Sequence, residues 1–154
     1  MLRIAVAQFN ATVGDLTGNV ERIVACAVAA KASGAQVLLT PELALCGYPP
    51  EDLLLRPDFY RACSRALDDL ARRIEDVAPE LAVVVGHPEE HAGRRYNAAT
   101  VVENGLKKAV YRKMRLPNYE VFDEKRYFDA GSEACVVTLG GVRCVQMDVP
   151  HTKY

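Results

Sequence analysis

From Leu2 to Gly86 the chain alternates two kinds of apolar run, and this alternation limits the possible folds more than any other feature. Leu2–Phe9 is rich in β-formers without strict polar alternation, the pattern of a strand buried on both faces. After a loop at Gly14–Gly18, Val20, Ile23, Val24, Ala27 and Val28 recur at helical spacing, predicting a helix over Asn19–Lys31 that Gly34 can end. Gln36–Thr40 is a short apolar strand closed by Pro41, and a short helical piece is expected at Asp52–Leu55. Phe59, Cys63, Ala66, Leu67, Leu70 and Ile74 mark one face of a second helix over Asp58–Asp76. Leu81–Gly86 reads as a third buried strand. The pattern then changes. Ala98–Val102 and Lys108–Lys113 flank the turn dipeptide Asn104-Gly105, and Cys135–Leu139 and Val142–Met147 flank Gly140-Gly141. Strand–helix alternation followed by hairpins predicts a layered α/β protein. Between the hairpins, Arg115–Gly131 is a long polar and aromatic loop, of the kind that is usually functional or disordered.

The composition excludes several classes of function. A chain of 154 residues, half hydrophobic and a quarter charged, is long enough for one domain with a real core. Its net charge of -1 leaves no electrostatic footprint for nucleic acid. No segment approaches the roughly 20 apolar residues of a membrane helix, and the N-terminus lacks a signal-peptide pattern. The five cysteines are irregularly spaced and form no CxxC pair, which suggests reduced thiols in a cytoplasmic protein. Three scattered histidines suggest no zinc site. With neither GxGxxG nor GxxxxGK[ST] present, dinucleotide and nucleoside-triphosphate sites lack support in this chain.

Two residues stand where chemistry is expected. Glu42 follows a buried strand and a proline, where desolvation can suit a carboxylate to general-base work. It also reads as a solvated loop acid or a helix-capping acid. Lys113 ends a strand in the same way and could stabilise an oxyanion, or could be an ordinary surface lysine. Their joint placement says more than either alone, because ligand sites in α/β sheets form at the carboxyl ends of strands.

Three segments carry a family resemblance: RIAVAQFNATVGD from Arg3, TPELALCGYPPEDLL from Thr40, and KMRLPNYEVFDEKRYF from Lys113. In these the chain resembles the nitrilase, or carbon–nitrogen hydrolase, superfamily. Within it, GYPPEDLL and LPNYEVFDEKRYF resemble the glutaminase domain of glutamine-dependent NAD synthetases. The resemblance implies an α-β-β-α sandwich, of which this chain would be the N-terminal part, truncated. The domain would span residues 1–143, and 144–154 would be a divergent tail. It also implies a Glu–Lys–Cys triad that hydrolyses the side-chain amide of L-glutamine. Glu42 matches the general base, Lys113 the oxyanion-stabilising lysine, Glu124 a second acid orienting the site, and Tyr119 a tyrosine that contacts glutamine. No cofactor is implied for this domain. ATP and magnesium would belong to a separate synthetase domain that amidates deamido-NAD, and relatives assemble as homo-oligomers.

The nucleophile does not fit this pattern. By spacing, a cysteine is expected near Asp148 to Pro150, and none is there. Cys144 is a weak substitute, expected to face the core, and Cys46 is expected to serve packing. The chain is therefore expected to be inactive alone and to leave sheet edges and an apolar face uncovered. Two other readings are a stand-alone amidase or carbamoylase, and a non-catalytic interaction module of the same fold.

Overall fold

The computed structural model describes residues 1–118 and 123–146. Five strands form one sheet in the order β1-β2-β3-β4-β5. They are β1 (Ile4–Val6), β2 (Val37–Leu39), β3 (Ala82–His91), β4 (Arg94–Glu103) and β5 (Leu106–Arg112). The first three are parallel, whereas β3, β4 and β5 are joined by antiparallel pairing. A separate hairpin comprises β6 (Cys135–Leu139) and β7 (Val142–Gln146). Helices α1 (Leu16–Ala32) and α2 (Pro57–Val77) complete the described elements, with short 3-10 turns at Glu51–Leu55 and Glu124–Arg126.

Side-chain alternation along the strands divides the sheet into two faces. Leu38, Val83, Val85 and Val102 pack with Ile23, Ala27, Leu67, Leu70 and Ile74 of the helices in the larger core. Val37, Ala82 and Val101 point the other way and meet Leu139 of the β6–β7 hairpin. The chain therefore stacks helices, sheet and hairpin, in agreement with the α/β expectation.

Several details differ from the sequence reading. The first strand is not buried on both faces: Ile4 and Val6 are 51% and 66% exposed. Among the described strands β1 is the edge of the sheet, and the described hairpin covers its open face only in part. Helix α1 begins within the expected loop because the Asp15 carboxylate accepts a hydrogen bond from Gly18 N at 2.9 Å and caps the first turn. Strand β3 runs past Gly86 through Pro88 and two glutamates to His91, a stretch too polar to read as a strand. Val136, Val142 and Val145 of the hairpin are also exposed.

Candidate active site

Topology brings Glu42 and Lys113 to one place. Two antiparallel steps from β3 make β5 parallel to β2. The segments leaving β2 and β5 therefore emerge at the same end of the sheet, one carrying Glu42 and the other Lys113. The Glu42 segment is held from both sides. Leu45 N donates to Gly86 O at 3.1 Å, and Gly86 N donates to Thr40 Oγ1 at 3.3 Å. Gly86 permits this approach, since a Cβ there would lie 2.6 Å from Pro41 O and Leu43 N. On the other side, the fully buried Asn19 amide of α1 donates to Thr12 O and Leu45 O, while its Oδ1 accepts from Thr12 N.

Lys113 is anchored through its backbone. Its N–H donates to Asn97 O at 2.8 Å, and its carbonyl accepts from Gly131 N at 2.9 Å. Its ammonium bridges two carboxylates, at 2.9 Å from Glu42 Oε1 and 2.8 Å from Glu124 Oε1. Burial disfavours this ammonium, but the hydrogen bonds to Glu124 and Glu42 outweigh it and hold Lys113 above the usual lysine range. The Glu124 side chain is only 8% exposed. Burial pushes its carboxyl above the ordinary value, against the pull of Lys113. Its Oε2 is buried without a hydrogen-bond partner among the described residues.

Two residues were not singled out from the sequence. Asn97, on β4 and buried, donates from Nδ2 to Glu42 Oε1 at 2.5 Å. The Tyr48 phenol is held above its ordinary value by burial, then by the charges of Glu42 and Glu124. Tyr48 also lines a cavity of about 380 Å³ with Leu43, Pro49, Asp123, Glu124 and Phe128. Tyr48 lies in the GYPPEDLL motif that carries the family resemblance, so that motif was its available signal. Asn97 had none, because it lies at the unrecognised start of β4.

Tyr119 lies outside the described residues, as do Asp148 to Pro150. Cys144 packs against the cluster of Val37, Ala82, Val101 and Leu139 on the hairpin side of the sheet, away from the helical core. Cys46 is fully buried, and the neighbouring Cys63 thiol, followed by burial, pushes its thiol far above the ordinary range. Among the described residues, no cysteine hydrogen-bonds Glu42 or Lys113. No group of three possible metal ligands occurs among them either, and no described helix is long and apolar enough to cross a membrane.

Fold and site define a class: an α/β protein of the nitrilase type with a carboxylate–ammonium–carboxylate cluster at strand ends. The family model described as carbon-nitrogen hydrolase matches residues 3–149, and the chain belongs to that family. It is 48% identical over 145 residues to the glutamine-dependent NAD(+) synthetase of Xanthomonas campestris, covering 92% of this chain and 26% of that protein. The corresponding Thermotoga maritima protein is 42% identical over 142 residues, covering 92% and 24%. The chain thus spans about a quarter of the length of these curated relatives. Among solved structures, the Acinetobacter baumannii glutamine-dependent NAD+ synthetase in complex with ADP superposes with a TM-score of 0.82 at 35% identity, covering 92% of this chain and 26% of that one. An amidase from Nesterenkonia sp. AN1, with the acetamide moiety of fluoroacetamide added covalently at its active-site cysteine, gives 0.78 at 30% identity. That match covers 95% of this chain and 55% of the amidase.

Proposed function

We propose that this chain supplies the base-and-lysine half of a glutaminase site, serving ammonia delivery to the ATP-dependent amidation of deamido-NAD. The carrying observation is the Lys113 ammonium held between Glu42 and Glu124 at 2.9 and 2.8 Å. The likeness to glutamine-dependent NAD(+) synthetases supports glutamine as the substrate. In this reading Glu42 takes the proton of a thiol, and the thiolate attacks the side-chain amide carbon of glutamine. Lys113 donates to the oxyanion that forms. The nitrogen leaves as ammonia with a proton returned by Glu42, and water, deprotonated by Glu42, then hydrolyses the glutamyl thioester. Glu124 fixes the lysine between the two carboxylates. Tyr119 and Tyr48 would contact the glutamine.

In this reading the attacking thiol is none of the described cysteines, and this chain by itself should release no ammonia from glutamine. ATP and magnesium are used elsewhere, by a synthetase domain. Free thiols at all five cysteines suit a cytoplasmic setting, and assembly as a homo-oligomer accords with the family resemblance. Ammonia release from glutamine tests the reading, comparing this chain with a version extended by a relative's following residues. The extended form should release ammonia and lose it on Glu42→Gln or Lys113→Met. Undiminished release by those two variants would overturn the roles given to both residues.

The structural likeness to the Nesterenkonia amidase favours a second reading, an amidase acting on simple amides. A preference of the extended form for acetamide over glutamine would select it.

A further inference from the structure

We propose that Asn97 is the positioning residue that sets Glu42 and Lys113 against each other. A buried asparagine has no reason of its own to occupy a central strand, where it is a poor β-former and its amide must find partners. Here one residue reaches both functional groups by different atoms. Its backbone carbonyl accepts from Lys113 N at 2.8 Å, fixing where that side chain leaves β5. Its Nδ2 donates to Glu42 Oε1 at 2.5 Å, and the same oxygen accepts from Lys113 Nζ at 2.9 Å. The opposite amide orientation would set Oδ1 against a carboxylate oxygen, so the donor assignment follows from charge.

The second tie is needed because Glu42 has little else to fix it. Its side chain is 45% exposed and stands on a loop, whereas Lys113 is 16% exposed. A carboxylate tethered through one oxygen presents the other in a fixed direction, as proton transfer from a thiol requires. Asn97 itself lies 5% exposed in β4, opposite Pro88 of β3. The donor therefore belongs to the rigid sheet and not to a loop. Asn97 acts through Glu42 and Lys113 and is not itself a catalytic residue.

This inference deepens the glutaminase reading and rests on it for its meaning in turnover, but its test needs no turnover. The amine of Lys113 is probed in the full chain by trace acetylation across a pH series, with mass-spectrometric readout and Lys31 and Lys107 as internal references. In Asn97→Ala, Glu42 drifts from the ammonium, and the Lys113 labelling profile moves to lower pH. Labelling at fixed pH should rise about threefold, a modest factor because Glu42 is half exposed. Glu42→Gln should give a shift of the same direction and similar size, and the reference lysines should not move. Asn97→Leu fills the same space without a donor and gives the same readout if the alanine variant does not fold. A merely structural asparagine would alter melting without displacing the Lys113 profile. Labelling of Lys113 unchanged in a folded Asn97 variant, while Glu42→Gln shifts it, would overturn the proposal. Ammonia release by the extended chain is measured separately, so failure of the glutaminase reading leaves the labelling result standing.

Discussion

Replacing Gly86 with alanine pushes a methyl group into the backbone of the loop that carries Glu42. The new Cβ would lie 2.6 Å from both Pro41 O and Leu43 N and 3.2 Å from Glu42 C. All three are backbone atoms, so no side chain can rotate away. Neither strand nor loop yields easily: Gly86 pairs with Ala99 in the sheet, and its carbonyl holds Leu45 N at 3.1 Å. Overpacking of this kind costs about 2–3 kcal/mol. For a chain of this size that is a fall in melting temperature of about 5–10 °C. The displaced loop also draws Glu42 away from Asn97 and Lys113, so Lys113 labelling should move as it does in Glu42→Gln. Thermal and urea unfolding followed by circular dichroism measure the first effect, and mass-spectrometric lysine labelling the second. Gly93→Ala is the control. Its Cβ meets nothing within 4 Å, and only its φ of +75° counts against it, a cost of about 1 kcal/mol. A Gly86→Ala protein melting within about 2 °C of wild type, with unchanged Lys113 labelling, would refute the account of how the loop is seated.

Other expectations follow from the same geometry. Burial holds Glu124 above its ordinary 4.5, so the folded state binds that proton more tightly than the unfolded chain does. Its contribution therefore declines as pH rises from 4.5 through the folded value. Glu124→Gln should remove the decline, and parallel urea-midpoint curves for the two proteins would contradict it. His87 is the opposite case. Buried and hydrogen-bonded to Thr100 at 2.7 Å, it is held below 6.5, chiefly by desolvation. The unfolded chain takes up the proton first, so stability is lost as pH falls below 6.5. His87→Gln should flatten that loss in acid titrations of the unfolding midpoint. Cys46 should resist iodoacetamide in the native protein and react on unfolding, since its thiol is fully buried. Rapid native alkylation mapped by peptide mass spectrometry would disprove this. Ile74→Ala, at a fully buried position, should cost about 2–5 kcal/mol, read from the shift in urea midpoint.

Much of the architecture was legible because its signals are local. Helix α2 is read within a residue of its ends, as its apolar residues repeat every three or four positions above a charged face. Asn104-Gly105 marks the β4–β5 turn, with both residues at positive φ. Strand β3 beyond Gly86 was not legible. Pro88, Glu89 and Glu90 argue against a strand, yet the pairing with β4 continues to His91, and Arg112 offsets Glu89 through two hydrogen bonds at 2.6 and 3.0 Å. Asn97 escapes a sequence reading for the same reason, since the apolar pattern of its strand starts only at Ala98.

The sequence by itself determined the layered α/β class, the residues that fill the helical core, and that Glu42 and Lys113 stand at strand ends. These depend on side-chain periodicity and on residues adjacent in the chain. Tertiary structure alone decided that Glu42, Asn97, Lys113 and Glu124 share one set of hydrogen bonds. Their positions lie up to 82 residues apart in the chain (42 to 124). They meet only because β5 runs parallel to β2 and places both strand ends at the same edge of the sheet. Exposure of β1 was likewise decided by strand order, because an edge position is set by neighbours and not by composition.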